Sequence, residues 1–147
     1  MGDTSRDAVD TYRDTEFNCA QSVFAAFAPQ LGLDRDTAMK IACGLGSGMG
    51  KTGNMCGAVT GGMLVLGLRY GMVEPDSTED KARTYKAVAL LLERIEKIHG
   101  SSNCTQLMGV DIGTPEGLDT VKKMNLAEKI CSTIVQDVAR IVEELLE

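Results

Sequence analysis

The sequence predicts an all-α protein, a compact multi-helix bundle in which a glycine-rich loop leads into a central buried helix. Apolar residues recur at three- and four-residue spacing along most of the chain, which is the pattern of amphipathic helices. No segment alternates apolar and polar residues convincingly, so no strand is predicted. Eight of the sixteen glycines lie between Gly44 and Gly62. With 147 residues the chain can bury one core, and we expect a single domain over 1–147.

Charge and composition exclude two classes of function. The formal net charge is −6, and aromatic residues make up 4% of the chain with no Trp. Such a composition suits neither a grip on phosphate backbones nor a stacking platform, so no nucleic acid is expected as a partner. The polar N-terminus predicts no signal peptide. The longest uncharged run, Thr52 to Leu68, holds five glycines, which favours a buried helix over membrane insertion.

The first third of the chain predicts three helices. They run over about Thr4–Tyr12, Cys19–Ala28 and Asp34–Cys43, and Pro29 follows the end of the second. Asp34 or Asp36 is the expected cap of the third. The residues predicted to face the core are Ala8, Val9 and Tyr12, then Ala20, Val23, Phe24 and Phe27, and then Ala38, Ile41 and Ala42.

The middle of the chain predicts the central helix and a long amphipathic one. The first runs from about Met55 to Tyr70 and is apolar nearly all round, which is typical of a buried element. Gly71 is its expected C-cap. The second runs from about Thr78 to His99 and ends at Gly100. Its predicted core face consists of Ala82, Tyr85, Ala89, Leu92 and Ile95.

The last third predicts an irregular stretch and a final helix. The irregular stretch carries Cys104, Pro115 and Gly117. The helix runs over about Asn125–Leu146. Its predicted apolar stripe consists of Ala127, Ile130, Cys131, Ile134, Val135, Val138, Ile141 and Leu145.

The five cysteines carry the functional prediction. They stand at positions 19, 43, 56, 104 and 131. Without a secretion signal they indicate a reducing, cytoplasmic compartment, where cysteines are more often redox-active or metal-binding than structural staples. The odd number means that not all of them pair. No Cys-x-x-Cys is present, so any cooperating set must be gathered from distant segments, as helical bundles allow.

Three cysteines follow an asparagine closely, as in Asn18-Cys19, Asn54-Met55-Cys56 and Asn103-Cys104. Asparagine is a preferred N-cap, so each thiol is predicted in the first turn of a helix. Free N–H groups and the helix dipole would lower the pKa of such a thiol. Cys56 is the predicted centre of the site. The alternative is that each cysteine is only a small buried hydrophobe.

The other cysteines and the single histidine have weaker claims. Cys131 lies on the apolar stripe of the final helix and alone would be a core residue, although facing inward it could reach the other thiols. Cys43 is interpreted as a structural or spare thiol. His99, at a helix C-terminus, is predicted to be a charge partner or a surface residue rather than a catalytic base.

The glycine loop matches a nucleotide pattern only superficially. Gly48 to Gly53 reads G-x-G-x-x-G, but a helix rather than a strand is predicted before it, which argues against a dinucleotide site. Backbone N–H groups of the loop could instead bind a thiolate or an anion near Cys56. Lys51 would add positive charge there. The candidate binding residues are therefore Gly48, Gly50, Lys51 and Gly57.

The cysteine order and its surrounding segments resemble a known family. The segments are Asn18–Val23, Gly46–Gly50, Cys56–Gly61, Cys104 with Leu107–Asp111, and Cys131. Together they are similar to the redox-active protein family named for its C–CGAxxG–C–C cysteine arrangement (C_GCAxxG_C_C). The resemblance implies a prokaryotic protein whose redox-active set is Cys19, Cys56, Cys104 and Cys131, with Cys43 outside the pattern.

Three functions remain open from the sequence. The first is a thiol-dependent oxidoreductase in which Cys56 attacks and Cys19, Cys104 or Cys131 resolves, with no cofactor required. The second is an iron–sulfur cluster or metal ion held by the same four cysteines. The third is a non-enzymatic bundle that binds a small ligand or anion. The partner would be a redox protein or a small molecule. A homodimer through the apolar central helix is an alternative to its burial within one chain.

Overall fold

The computed structural model describes residues 2–147 and shows an all-α fold with no strand in that range. Only an isolated antiparallel bridge, between Met55 and Asn103, pairs extended backbone. The α-helices are α1 (Asp3–Asp14), α2 (Cys19–Phe27), α3 (Arg35–Ala42), α4 (Gly46–Met49), α5 (Gly57–Tyr70), α6 (Thr78–His99), α7 (Cys104–Met108), α8 (Pro115–Met124) and α9 (Ser132–Leu145). Short 3₁₀ turns cover Ala28–Leu31 and Cys43–Leu45, and a π-helical turn covers Ala127–Cys131.

Helix α5 is the central element, as predicted. It packs against α2, α6 and α9, while α1 lies across α2 and α9. Val59, Val65 and Leu66 on α5 are fully buried. A Cβ on Gly61 would lie 2.7 Å from the Ala20 carbonyl oxygen, so only glycine lets α2 and α5 approach this closely. Most of the apolar surface of α5 is therefore buried within one chain, although Leu68 near its end is 38% exposed.

Side-chain caps fix where several helices begin. Asn18 and Gln21 form a reciprocal capping box at the start of α2. Asp34 accepts from the Thr37 N–H at α3, and Asn103 accepts from the Gln106 N–H at α7. Each cap satisfies a backbone donor that the first helical turn leaves unpaired. Two of these caps are directly followed by a cysteine, so they also set where Cys19 and Cys104 lie.

The molecule has two apolar clusters. The main cluster combines buried residues of α1, α2, α3, α5, α6 and α9. The small cluster is built from Cys104, Met108, Ile112 and Leu126, with side chains of α8 packed against it. Helix α8 itself is mostly exposed, and of its residues only Gly117 is fully buried. Residues 104–131 thus carry the second apolar cluster, and Leu107 and Ile130 also pack against the main one; we call residues 104–131 the cover segment.

Several predicted details are wrong. Ile41 is 50% exposed and Tyr85 65% exposed, because the core lies along Ala38 and Ala42 on α3 and along Ala87, Leu91 and Ile95 on α6. Ala82 and Ala89 are also exposed.

The stretch predicted as irregular contains α7 and α8, and α8 is capped by the Thr114 hydroxyl. The single predicted C-terminal helix is interrupted. Asn125 ends α8 in the left-handed conformation, and the π-helical turn precedes α9.

Across residues 2–147, no helix combines the length and the apolar character needed to cross a bilayer.

Candidate cysteine site

A cavity of about 400 Å³ between the bundle and the cover segment is lined by four cysteines. Cys19 comes from the start of α2, Cys56 from the start of α5, Cys104 from the start of α7 and Cys131 from the π-helical turn. The four residues implied by the resemblance therefore share one cavity. Cys43 does not line it and is exposed.

The four cysteines are divided evenly between the two apolar clusters. Cys19 and Cys56 belong to the main cluster. Cys104 and Cys131 belong to the small one. Each cluster thus brings two thiols to the boundary, and the cavity lies where the cover segment meets the bundle.

Cys19 is held against the start of the central helix. A Cβ on Gly57 would lie 2.5 Å from the Cys19 sulfur, so the glycine after Cys56 leaves the space that this sulfur occupies. Four backbone N–H groups, of Cys19, Ala20, Ser47 and Ala58, act on the sulfur and favour its thiolate form. They come from α2, the glycine loop and α5, and together they form a nest of donors around one thiol.

Cys56 is itself the N-cap of α5, and the predicted capping by Asn54 is wrong. The Asn54 amide nitrogen donates instead to the Thr52 hydroxyl. The Cys56 N–H donates to the Ser102 carbonyl at 2.8 Å, and the Cys104 N–H donates to the Asn54 carbonyl at 2.6 Å. This pair of bonds joins the segments that carry Cys56 and Cys104.

The glycine loop contains a left-handed turn. Five consecutive residues, Ser47 to Lys51, have φ values from 55° to 72°. This conformation costs non-glycine residues roughly 1–2 kcal/mol each, and Ser47, Met49 and Lys51 adopt it alongside two glycines. The turn is held by bonds to the Gly48 carbonyl from the Asn54 N–H and the Thr52 hydroxyl. It directs the Ser47 N–H at the Cys19 sulfur.

Cys131 lies at the end of the π-helical turn, beside two further functional candidates. Its sulfur is 3.4 Å from the Met108 sulfur. The Tyr12 hydroxyl is placed to donate to a Cys131 thiolate. A π-turn inserts an extra residue into a helix, and such turns are frequent at functional sites. Here it fixes the position of Cys131 on the cavity wall.

The predicted lowering of the thiol pKa values is wrong. Burial raises the pKa of Cys19 and of Cys56, and neighbouring thiolates raise that of Cys56 further. Burial and the Cys19 charge raise the pKa of Cys104 to about 11 and that of Cys131 to about 12. The helix-start N–H groups do favour the thiolates of Cys19 and Cys56, but desolvation outweighs them. At neutral pH the four thiols are therefore protonated.

Only some of the predicted binding residues lie near the cavity. Gly57 lines it, and Gly48 packs beside the Cys104 Cβ. Gly50 and Lys51 are exposed and line no part of it. His99 lies outside the cavity, and its Nε2 is 2.8 Å from a carboxylate oxygen of Asp137.

Four thiols line the cavity, but in the described chain they are not arranged around a point where a single metal ion could be held. Thiolate sulfur is the ligand that iron–sulfur clusters and soft metals prefer. Within residues 2–147, however, no group of three or more His, Cys, Asp or Glu side chains is arranged to hold a metal ion. The cysteines surround a cavity rather than converge on a coordination point.

Comparison with known proteins adds one finding. The family model described as "Putative redox-active protein (C_GCAxxG_C_C)" matches residues 17–145. The chain belongs to this family. The family's name gives the central motif as Gly-Cys-Ala, whereas this chain has Cys56 before Gly57. No curated protein and no solved structure matches the chain.

Sequence reasoning missed Tyr12, Ser47 and Met108, which all line the cavity. The sequence predicts Tyr12 as a core residue of α1, and nothing near it in the sequence indicates that its hydroxyl reaches the cavity. The alternation of glycine with other residues around Ser47 was a signal for left-handed backbone. Met108 follows Cys104 by four residues, which is the helical spacing that places two side chains on one face.

Proposed function

We propose that this chain is a thiol–disulfide oxidoreductase that works through the cysteine pair Cys19 and Cys56. The observation that carries the proposal is one cavity lined by four cysteines from segments far apart in the sequence. Membership of a redox-active family supports it. The proposal places the protein in a reducing, cytoplasmic setting, in which disulfides are transient and catalytic.

Cys19 is the better candidate for the attacking sulfur, although the sequence pointed to Cys56. As a residue Cys19 is half-buried and Cys56 is buried, although burial raises the pKa of both sulfurs. Four backbone N–H groups favour the Cys19 thiolate, against two, from Ala58 and Val59, for Cys56. The Cys19 sulfur also lies against Gly57, next in the chain to Cys56. We therefore assign attack to Cys19 and resolution to Cys56.

The reaction has two exchange steps. Cys19 loses its proton and its thiolate attacks one sulfur of a substrate disulfide; a mixed disulfide forms, and the other substrate sulfur leaves and takes up a proton. Cys56 loses its proton and attacks the Cys19 sulfur, which forms the Cys19–Cys56 disulfide and releases the second substrate thiol. Two protein thiols are oxidised and one substrate disulfide is reduced, with two electrons and two protons transferred.

The site explains why the reaction would depend on a bound substrate. The four thiols are protonated in the reduced protein because burial raises their pKa values. A substrate that fills the cavity brings its disulfide to the nest of N–H groups around Cys19. We therefore expect these thiols to react slowly with small thiol reagents in bulk water.

The test is alkylation mass spectrometry after equilibration in glutathione buffers of graded potential. We expect a Cys19–Cys56 disulfide that forms at a cellular glutathione poise, with exposed Cys43 as an internal reference. Cys19→Ser and Cys56→Ser should each abolish this disulfide, and Cys43→Ser should leave its midpoint unchanged. The proposal is refuted if no pair of cavity cysteines changes between dithiol and disulfide across these glutathione buffers.

An anaerobic purification separates this function from the metal alternative. A colourless protein is expected, in which all five thiols titrate once the chain is unfolded. Absorption in the visible range together with stoichiometric iron would instead identify a cluster, and the exchange mechanism would be abandoned.

A further inference from the structure

A second cavity, of about 330 Å³, lies at the opposite end of α5 from the cysteines. It is a groove between the end of α5, the first half of α6 and the end of α9, with Arg69, Tyr70, Arg83 and Lys86 on its walls. Helix α5 has 14 residues and rises about 1.5 Å per residue, so about 20 Å separates the two sites. The groove is therefore independent of the thiol chemistry.

Three cations of the groove have no ion-pair partner among residues 2–147. None of Arg69, Arg83 and Lys86 belongs to a salt bridge of the described chain. Arg83 follows Glu79 and Asp80 by four and three residues, a spacing that commonly gives helix ion pairs. It forms neither and turns toward Tyr70. In a chain with a net charge of −6, the groove is locally positive, because three cations line it beside one acidic residue, Glu147.

Tyr70 holds the two guanidinium groups in place. The guanidinium carbon of Arg69 lies 4.9 Å from the centre of the Tyr70 ring, and that of Arg83 lies 5.8 Å from it. The Tyr70 hydroxyl donates to the Leu145 carbonyl at 2.6 Å, which ties the ring to the end of α9. Stacking on an aromatic ring uses the face of a guanidinium and leaves its N–H edge available for an anion.

We propose that this groove binds an anion that carries phosphoryl groups. Arg69 and Arg83 donate N–H bonds to the phosphoryl oxygens in the fork geometry that arginine offers. Lys86 adds a third positive charge. A single monovalent carboxylate would balance only one of the three cations, whereas a diphosphate or a phosphate ester balances two or more. Glu147, which also lines the groove, opposes the anion and limits its affinity.

The first test uses the full chain and inorganic pyrophosphate. Amide chemical shifts should move saturably around Arg69, Tyr70, Arg83 and Lys86 and leave the cysteine cavity unchanged. Arg69→Gln and Arg83→Gln should each weaken binding about ten-fold, as expected for the loss of one charge-assisted contact. Lys40→Gln, which removes an exposed cation of α3, is the matched control and should bind as the wild type does.

A second measurement distinguishes the sources of the phosphoryl group. Co-sedimentation with phosphatidylglycerol vesicles, compared with phosphatidylcholine vesicles, reports on a lipid headgroup. Binding to pyrophosphate alone identifies a soluble ligand, and Arg83-dependent binding to phosphatidylglycerol identifies a headgroup. The proposal is overturned if neither probe binds, or if Arg83→Gln and Lys40→Gln bind each probe equally. Circular dichroism of the variants verifies that they are folded.

Discussion

Gly57 shows how a single missing side chain shapes the site. The Cys19 sulfur and the Leu45 carbonyl occupy the space where its Cβ would be, at 2.5 and 3.0 Å. The glycine that follows Cys56 is therefore needed to make room for the Cys19 sulfur. A substitution at this position acts on a cysteine that is 38 positions away in the sequence.

We expect Gly57→Ala to destabilise the fold by about 1–3 kcal/mol, since the added methyl overpacks the site. It should also displace the Cys19 sulfur and slow disulfide formation with Cys56. Gly67→Ala on the same helix is the control, because nothing lies within 4 Å of its Cβ position. Alanine there should stabilise α5 by roughly 0.5–1 kcal/mol.

Urea denaturation of both variants measures the two free energies of unfolding. Equal effects of the two substitutions would contradict the close approach of Cys19 to Gly57.

The four cysteines that line the cavity can be picked out from the sequence, whereas the direction of their pKa shifts cannot. The family resemblance pointed to Cys19, Cys56, Cys104 and Cys131, and all four line the cavity. The helix-start position of a thiol can be inferred from a preceding asparagine, because a cap is a local feature. Burial depends on tertiary packing, and here it reverses the sign of the expected pKa shift.

At the scale of elements, periodicity predicted the long helices well. The bounds of α6 were predicted without error, and α1 and α5 were predicted to within about two residues. The helix faces were harder. Tyr85 was assigned to the core of α6, but the neighbours of α6 are α5 and α9, and they contact the side of Leu91 and Ile95. When a helix has two apolar faces, the one that is buried depends on where its partner helices lie, and local spacing does not contain that information.

Two short irregular elements at the site escaped the sequence analysis. They are the left-handed turn at Ser47–Lys51 and the π-helical turn at Ala127–Cys131. Neither follows the apolar spacing of a regular α-helix, and that spacing is what predicts the other elements. Each turn lies directly beside a site cysteine or carries one. Departures from local preference of this kind concentrate at functional sites.

Helix α8 should be the most easily opened helix of the described chain. Leu118 and Val121 attach it to the small cluster and line the cavity, while most of its other side chains face water. We expect its amides to exchange with solvent through local opening, well before those of α5, which exchange only on global unfolding. Hydrogen–deuterium exchange with mass spectrometry measures this difference.

Leu118→Ala should accelerate exchange in α8 and also the alkylation of cavity cysteines relative to Cys43. Protection of α8 equal to that of α5 would show instead that the cover segment is a rigid part of the core.

At the scale of the whole molecule, the buried thiols link stability to pH. The raised pKa values mean that the folded state binds protons more tightly than the unfolded state at Cys104 and Cys131. The stability that this difference gives the fold is fully present below the ordinary thiol pKa of 9. It is lost as the pH rises toward the folded-state pKa values, about 11 for Cys104 and about 12 for Cys131.

We therefore expect the urea midpoint to fall between pH 9 and pH 11 more steeply in the wild type than in Cys104→Ser/Cys131→Ser. Cys43→Ser leaves the four cavity thiols in place and should keep the wild-type slope. Identical slopes in the wild type and the double variant would mean that these two thiols are not desolvated.

The distribution of the site cysteines along the chain has a consequence for synthesis. The first of the four is Cys19 and the last is Cys131, so the cavity cannot close until Cys131 has left the ribosome. During that interval the early cysteines have neither the bundle nor the cover segment around them. Without that shielding they are as reactive as free thiols, and a nascent chain in an oxidising solution would form wrong pairs, including pairs with Cys43. Correct assembly of this site therefore depends on the thiol reductants present while the chain is made.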